Sequence, residues 1–172
     1  MNQGTLDPDS PQSTPTYRLF IDGACRGNPG PAAYGCILYK GQEMLLKEKG
    51  YIGKGTNNMA EYTSLIKGLE AVWKVGVKEE LEIFSDSQLL VRQITGLYKV
   101  KNPRLQRLFQ EAQTLLKRFK RFHIFHIDRG LNREADRLAN RALDEVLKKT
   151  GQSPAGSGLR EESPGPTGQG AG

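Results

Sequence analysis

Cysteine is scarce in this chain: Cys25 and Cys36 are the only two among 172 residues. Two thiols are too few for a disulfide framework or a cysteine-built zinc cluster. No apolar run approaches the ~20 residues that span a bilayer, and the first residues offer neither a basic start nor an apolar signal stretch. The expectation is a cytoplasmic, reducing compartment, two free thiols and no membrane contact. Acids are also in deficit, 19 against 25 bases, for a net charge of +6. Residues 17–149 are more basic still, with 24 bases and 15 acids for a net of +9. A basic surface draws polyanions and speeds their encounter, which makes nucleic acid the natural partner class.

Periodicity is missing from both ends. Residues 1–16 hold three prolines and few apolar side chains, and residues 150–172 are mostly Gly, Ser, Pro, Gln and charge. Such segments cannot bury enough apolar surface to offset the entropy of ordering, so disorder is expected at both ends. One domain of common size remains, over residues 17–149. No internal repeat is present.

Within that domain the pattern alternates between strand and helix. Leu19-Phe20-Ile21, in a strand over residues 17–22, reads as a central strand buried on both faces. Residues 35–39 and 44–51 read as two further strands joined by a hairpin turn at 40–43. Tyr62, Leu65, Ile66, Leu69, Val72 and Trp73 recur at helical spacing and predict a helix over 58–75, with Thr56 and Asn57 as candidate caps. A strand over 81–85, a short helix over 88–95 and a longer one over 104–119 follow. Residues 122–127 read as the fifth strand. A final helical stripe runs from Leu131 through Ala135, Leu138, Ala139, Ala142, Leu143 and Val146 to Leu147. The order is βββαβααβα.

If the crossover after the third strand is right-handed, the fourth strand lies parallel to the first. Asp22 closes the first strand and Asp86 the fourth, so both acids arrive at the sheet edge where open α/β sheets bind ligands. Aspartate also favours turns and caps, but the joint placement of these two favours function. Four acids lie in recognisable local motifs: Asp22 in Asp22-Gly23-Ala24-Cys25-Arg26-Gly27-Asn28-Pro29-Gly30, Glu61 in Thr56-Asn57-Asn58-Met59-Ala60-Glu61, Asp86 in Phe84-Ser85-Asp86-Ser87, and Asp136 in Asn132-Arg133-Glu134-Ala135-Asp136. Carboxylates in a basic protein suit hard divalent cations, which complete their shells with water and phosphate oxygens. A pair of such ions serves in-line phosphoryl displacement.

This set of motifs resembles the type 1 ribonuclease H family over residues 17–147. The resemblance implies an α/β ribonuclease H-like fold: a five-stranded mixed sheet in the order 3-2-1-4-5, flanked by helices. It implies a metal-dependent endonuclease that cuts the RNA strand of RNA/DNA hybrids to 5′-phosphate and 3′-hydroxyl ends. Two Mg²⁺ or Mn²⁺ ions would be held by Asp22, Glu61, Asp86 and Asp136, with Asp128 and Glu134 as the competitors for the fourth place. Cys25, Asn28, Asn58 and Gln88 would line the minor groove or touch 2′-hydroxyls, the groups that distinguish RNA from DNA. Thr56 and Asn57 would help hold a phosphate of the DNA strand. A monomer is expected.

Departures from the better-known family pattern also carry information. The segment His126-Ile127-Asp128-Arg129-Gly130-Leu131-Asn132 is short and lacks the loop histidine of many relatives, which resembles an archaeal and bacterial subgroup, some of whose members also cut double-stranded RNA. Arg129 is a candidate phosphate contact, although a guanidinium cannot act as an acid or base at neutral pH. The basic protrusion of some relatives is missing as well. Lys99 and Lys101 mark the edge of a basic segment that either grips phosphate or forms a solvated helix face. The alternatives to a hybrid nuclease are a broader nuclease that also accepts double-stranded RNA, and a non-catalytic duplex-binding module on the same fold.

Overall fold

Alternation along the first strand decides which side of the sheet each helix covers. In the computed structural model, which describes residues 16–151, β1 (Tyr17–Cys25) buries Leu19 and Ile21 completely. Successive side chains alternate across a strand, so Phe20 and Asp22 face the opposite side. The expected disordered segments 1–16 and 150–172 lie almost wholly outside the described residues.

Strand β2 (Gly30–Lys40) returns antiparallel to β1, and β3 (Glu43–Gly55) returns antiparallel to β2 through a tight turn at Gly41 with φ +59°. Helix α1 (Asn57–Lys74) is the crossover that lays β4 (Glu80–Ser85) parallel to β1, with Ile21 opposite Ser85. Helices α2 (Gln88–Ile94) and α3 (Pro103–Leu116) lead to β5 (Arg121–His126), parallel to β4. A 3₁₀ turn at Arg129–Leu131 then precedes α4 (Arg133–Lys149). The sheet order is β3-β2-β1-β4-β5, the five-stranded mixed sheet that the family resemblance implies.

Side-chain caps fix the starts of α1, α2 and α3. Thr56 Oγ1 accepts from the Met59 N–H at 3.1 Å, and Asn102 Oδ1 accepts from the N–H groups of Arg104 and Leu105. Such caps satisfy amides that the first helical turn leaves unpaired. Tyr62, Leu65, Leu69 and Val72 of α1 pack with Leu19, Ile21 and Ile83 of the sheet and Leu105, Ala112, Leu115 and Leu116 of α3 into the main core. Helix α4 covers the other face. Its approach needs Gly35, where a Cβ would lie 2.5 Å from the Ala135 carbonyl oxygen and 2.7 Å from the Ala139 nitrogen.

Two expectations change. Phe20 is only partly buried, because α4 packs chiefly on β1, β2 and β3 and leaves β4 and β5 open on that side. Phe20 stacks instead on Phe84, and Phe84 on Phe125, with ring centroids 4.8 and 5.3 Å apart. Leu131 does not belong to the stripe of α4; it sits in the 3₁₀ turn and is 70% exposed. The helix starts two residues later because Asn132 is drawn into the protein, 1% exposed, and its carbonyl accepts the first bond of α4 from the Asp136 N–H.

Candidate active site

Parallel pairing of β1 with β4 sets Asp22 and Asp86 beside each other, since each follows a residue of the Ile21–Ser85 pair. Asp22 is 4% exposed. Glu61 arrives through a close backbone approach at Gly23, where a Cβ would stand 2.5 Å from the main-chain carbon of Ala60. The Gly23 N–H thereby faces Glu61 Oε1 at 3.1 Å and Asp22 Oδ1 at 3.0 Å. Oxygens of Asp22, Glu61 and Asp86 all fall within 4.8 Å of one another. Asp136, in the first turn of α4, stands outside that trio on the Asp22 side, close enough to act on Asp22 by charge and hydrogen bonding.

Electrostatics make this cluster costly when no cation is bound. Burial, reinforced by the charges of Glu61, Asp86 and Asp136, pushes the Asp22 carboxyl far above the carboxylate range. Burial and then Asp86 raise Glu61, opposed by the Gly23 N–H and the charge of Arg129. A divalent cation fits this site: every donor is a hard carboxylate oxygen, and a positive charge removes the repulsion.

The sign of the resulting pH dependence follows from linkage. Both groups titrate higher in the folded protein than the ~4 of an unfolded chain, so the folded state binds more protons and stability falls as pH rises through the raised values. In EDTA, the urea midpoint is therefore expected to drop between pH 5.5 and 8.5. Saturating Mg²⁺ should recover it at pH 8.5 and do little at pH 5.5, where protons compete with the cation. A midpoint at pH 8.5 that ignores Mg²⁺ would rule the site out as a cation site.

Asn132 was given no role from sequence. An asparagine before a helix ordinarily caps it, yet Asn132 makes no side-chain cap bond. Its Nδ2 donates instead to the Ile21 carbonyl at 2.8 Å and to Asp86 Oδ2 at 3.1 Å, tying α4, β1 and β4 together at the acids. Only the structure could reveal this, because the partners lie 111 and 46 residues away.

The expected substrate residues do not all gather in one place. Asn28 Oδ1 accepts from the Asn57 N–H at 3.0 Å, which joins the β1–β2 loop to the start of α1. Asn28, Thr56 and Asn58 share a cleft of about 280 Å³ with Met59, Asn102, Arg104 and Leu105. Asn102 and Arg104, which belong to the basic segment read from sequence as a candidate phosphate grip, thus come to this cleft at the N-terminus of α3. Cys25 turns its thiol toward the carbonyls of Gly27 at 2.7 Å and Gly55 at 3.2 Å, and burial pushes its pKa up, leaving a neutral thiol. Gln88 is exposed at the start of α2, and Arg129 is exposed in the 3₁₀ turn. Lys99 and Lys101 are exposed in the connection before α3, where the Lys99 carbonyl accepts from Gln93 Nε2 at 3.3 Å. Among the described residues no helix is long and apolar enough to cross a membrane.

Comparison with known proteins gives this geometry a family. Residues 20–142 match the family described as Reverse transcriptase-like. A protein named Ribonuclease HI from Halobacterium salinarum is 45% identical over 128 residues, covering 74% of this chain and 64% of its own length. A Ribonuclease H from Coxiella burnetii is 36% identical, covering 78% of this chain and 94% of its own. The chain spans only 36% of the length of the Mycobacterium tuberculosis relative named Bifunctional protein Rv2228c, at 42% identity. Among solved structures, the N-terminal RNase H domain of Rv2228c superposes with a TM-score of 0.75 at 40% identity, covering 79% of this chain and 99% of that one. LC11-RNase H1 in complex with an RNA/DNA hybrid gives 0.74 at 38% identity, covering 77% and 99%. With a Ribonuclease H relative matched over 94% of its length at 36% identity and RNase H structures superposing over 99% of theirs, the chain belongs to the type 1 ribonuclease H family.

Proposed function

We propose that residues 17–149 form a monomeric catalytic domain that hydrolyses the RNA strand of RNA/DNA hybrids, leaving 5′-phosphate and 3′-hydroxyl ends. The observation that carries this reading is the convergence of Asp22, Glu61 and Asp86 within 4.8 Å, with Asp136 beside Asp22. Asp22, Glu61, Asp86 and Asp136 would hold two divalent cations. When bound, Mg²⁺ or Mn²⁺ supplies Lewis-acid activation of water and neutralises charge at the phosphorus. The protein's part is positioning. Gly23 donates its N–H to Glu61, and Asn132 donates to Asp86, so neither carboxylate has to be ordered when substrate arrives.

Asn28, Asn58, Cys25 and Gln88 would read the minor groove, with 2′-hydroxyls as the feature that selects RNA. The cleft beside Thr56 and Asn57 is polar, and Arg104 gives it positive charge, which suits a backbone phosphate of the DNA strand. Lys99 and Lys101 extend that positive edge. Arg129, whose charge bears on Glu61, would meet a phosphate near the cut rather than move protons.

The test is cleavage of a labelled RNA/DNA hybrid, double-stranded RNA and double-stranded DNA, each with Mg²⁺, Mn²⁺ or EDTA. Cation-dependent cutting of the hybrid's RNA strand is the expected result. Tight hybrid binding without cutting under any of these conditions would replace the enzyme reading with a duplex-binding module.

A further inference from the structure

The loop between β1 and β2 is fastened to two helices that carry site acids. Asn28 holds the start of α1, the helix of Glu61. On the other side, the Arg26 guanidinium forks onto α4, donating from Nη1 to Asp144 Oδ1 and from Nη2 to Asn140 Oδ1, both at 2.9 Å. Asn140 completes the path. Its Nδ2 donates to Asp136 Oδ1 at 3.0 Å and to the Asp136 carbonyl at 2.9 Å.

The chemistry of the groups fixes the direction of this chain. A guanidinium has only donors, so Asn140 must turn its oxygen to Arg26, and its nitrogen is thereby aimed at Asp136. A flipped amide would oppose donor to donor at one end and oxygen to carboxylate at the other. The bond from Asn140 to the carbonyl four residues earlier has an ordinary local explanation. The bond to the carboxylate is an i,i+4 pair on one helix face, and its consequence is to restrain the one acid of the four that stands outside the close trio.

We propose that Arg26 and Asn140 are positioning residues: the guanidinium orients the Asn140 amide, and the amide holds the Asp136 carboxylate beside Asp22. This inference rests on the proposed function, in which Asp136 is a cation ligand. Groups that orient ligating carboxylates commonly change metal affinity 10–100-fold when removed. A part-exposed relay that acts through another side chain belongs at or below the low end of that range. Arg26 also lies two residues before Asn28, so the segment that meets the hybrid's minor groove is the segment that sets Asp136.

Four variants of the full chain separate this reading from its rivals: Asn140→Ala, Arg26→Ala, Arg26→Lys and Asp144→Ala. Three quantities are measured: the Mg²⁺ concentration for half-maximal hybrid cleavage, the hybrid KM at saturating Mg²⁺, and Mn²⁺ affinity by calorimetry on the protein alone. Asn140→Ala and Arg26→Ala are each expected to raise the half-saturating Mg²⁺ about 3–10-fold and weaken Mn²⁺ comparably, with hybrid KM within about two-fold. Combining them should add little, since they lie on one path. Arg26→Lys should restore part of the loss. Asp144→Ala, which removes one prong of the Arg26 fork and leaves the bond to Asn140, should shift cation affinity less than Arg26→Ala.

A higher hybrid KM in Arg26→Ala with cation affinity intact would overturn the inference and make Arg26 a direct phosphate contact. Changes confined to the melting temperature would overturn it as well and reduce the relay to a surface staple. If the wild-type chain fails to cut the hybrid while the calorimetric series behaves as expected, the hydrolytic function falls and the positioning roles stand.

Discussion

Asp22→Asn is expected to abolish hybrid cleavage, by at least about 10³-fold, while raising the stability of the metal-free protein. Both effects have one origin. Asp22 is 4% exposed, and beyond that burial its carboxyl is raised by the charges of all three other acids, Glu61, Asp86 and Asp136. With cations bound, that position makes it indispensable. Without them, it must either keep its charge among like charges or take up a proton, and both cost stability. An amide keeps the shape and can still accept the Gly23 N–H, so the neutral variant sheds repulsion of order 1–3 kcal/mol. Urea unfolding in EDTA at pH 8 measures the gain, and the same titration with Mg²⁺ should show a smaller cation effect than in the parent chain. A variant less stable than the parent in EDTA, or one stabilised equally by Mg²⁺, would show that Asp22 is not a cation ligand.

That opposition between stability and function explains which parts of the protein could be read from sequence. Core-forming periodicity was legible: Tyr62, Leu65, Leu69 and Val72 recur at helical spacing and are buried where the stripe of α1 meets the sheet. Strand limits were less so. β1 runs to Cys25, β2 starts at Gly30 and β3 runs to Gly55, each several residues beyond the apolar runs. Gly-rich ends carry little strand propensity, and pairing of β1 with β2 and of β2 with β3 supplies what propensity does not.

Phe20 and Leu131 misled for the same reason. An apolar side chain announces that it prefers burial, but the coverage of a sheet face depends on where a distant helix lands. Helix α4 lands on Gly35 and leaves the Phe20–Phe84–Phe125 row uncovered. At the site, motif and topology together pointed to the acids that the fold gathers. Glu134, a competitor for the fourth place, pairs with Arg137 at 2.9 Å on the surface, and Asp128 is exposed ahead of the 3₁₀ turn. The polar supports left no such trace. Asn132, Asn140 and Arg26 are ordinary surface-type residues in sequence, and Arg26 and Asn140 are 114 positions apart. Supports of this kind depend on folded geometry, which no local pattern encodes.

Gly23→Ala is the second substitution expected to have a large effect, although it alters no charge or ligand. Gly23 does not require a left-handed backbone, so the argument rests on space alone. A methyl group there would lie 2.5 Å from the Ala60 carbonyl carbon, 2.7 Å from its oxygen and 2.7 Å from its Cβ. Two of those three atoms belong to the helix backbone, which can yield only if α1 moves away from β1. Glu61 is the next residue, and its bond from the Gly23 N–H would lengthen with that shift. Overpacking of this kind costs about 1–3 kcal/mol, and a displacement near 1 Å at a reacting centre costs about 10² in rate. The expected result is therefore a lower urea midpoint together with roughly 10²-fold slower hybrid cleavage and a higher Mg²⁺ requirement. Gly130→Ala provides the contrast, because a Cβ at Gly130 meets nothing within 4 Å. It should leave the midpoint and the Mg²⁺ requirement close to those of the parent. Cleavage within two-fold of the parent in Gly23→Ala would mean that α1 accommodates the methyl without moving Glu61, and that the close approach at Gly23 serves packing alone.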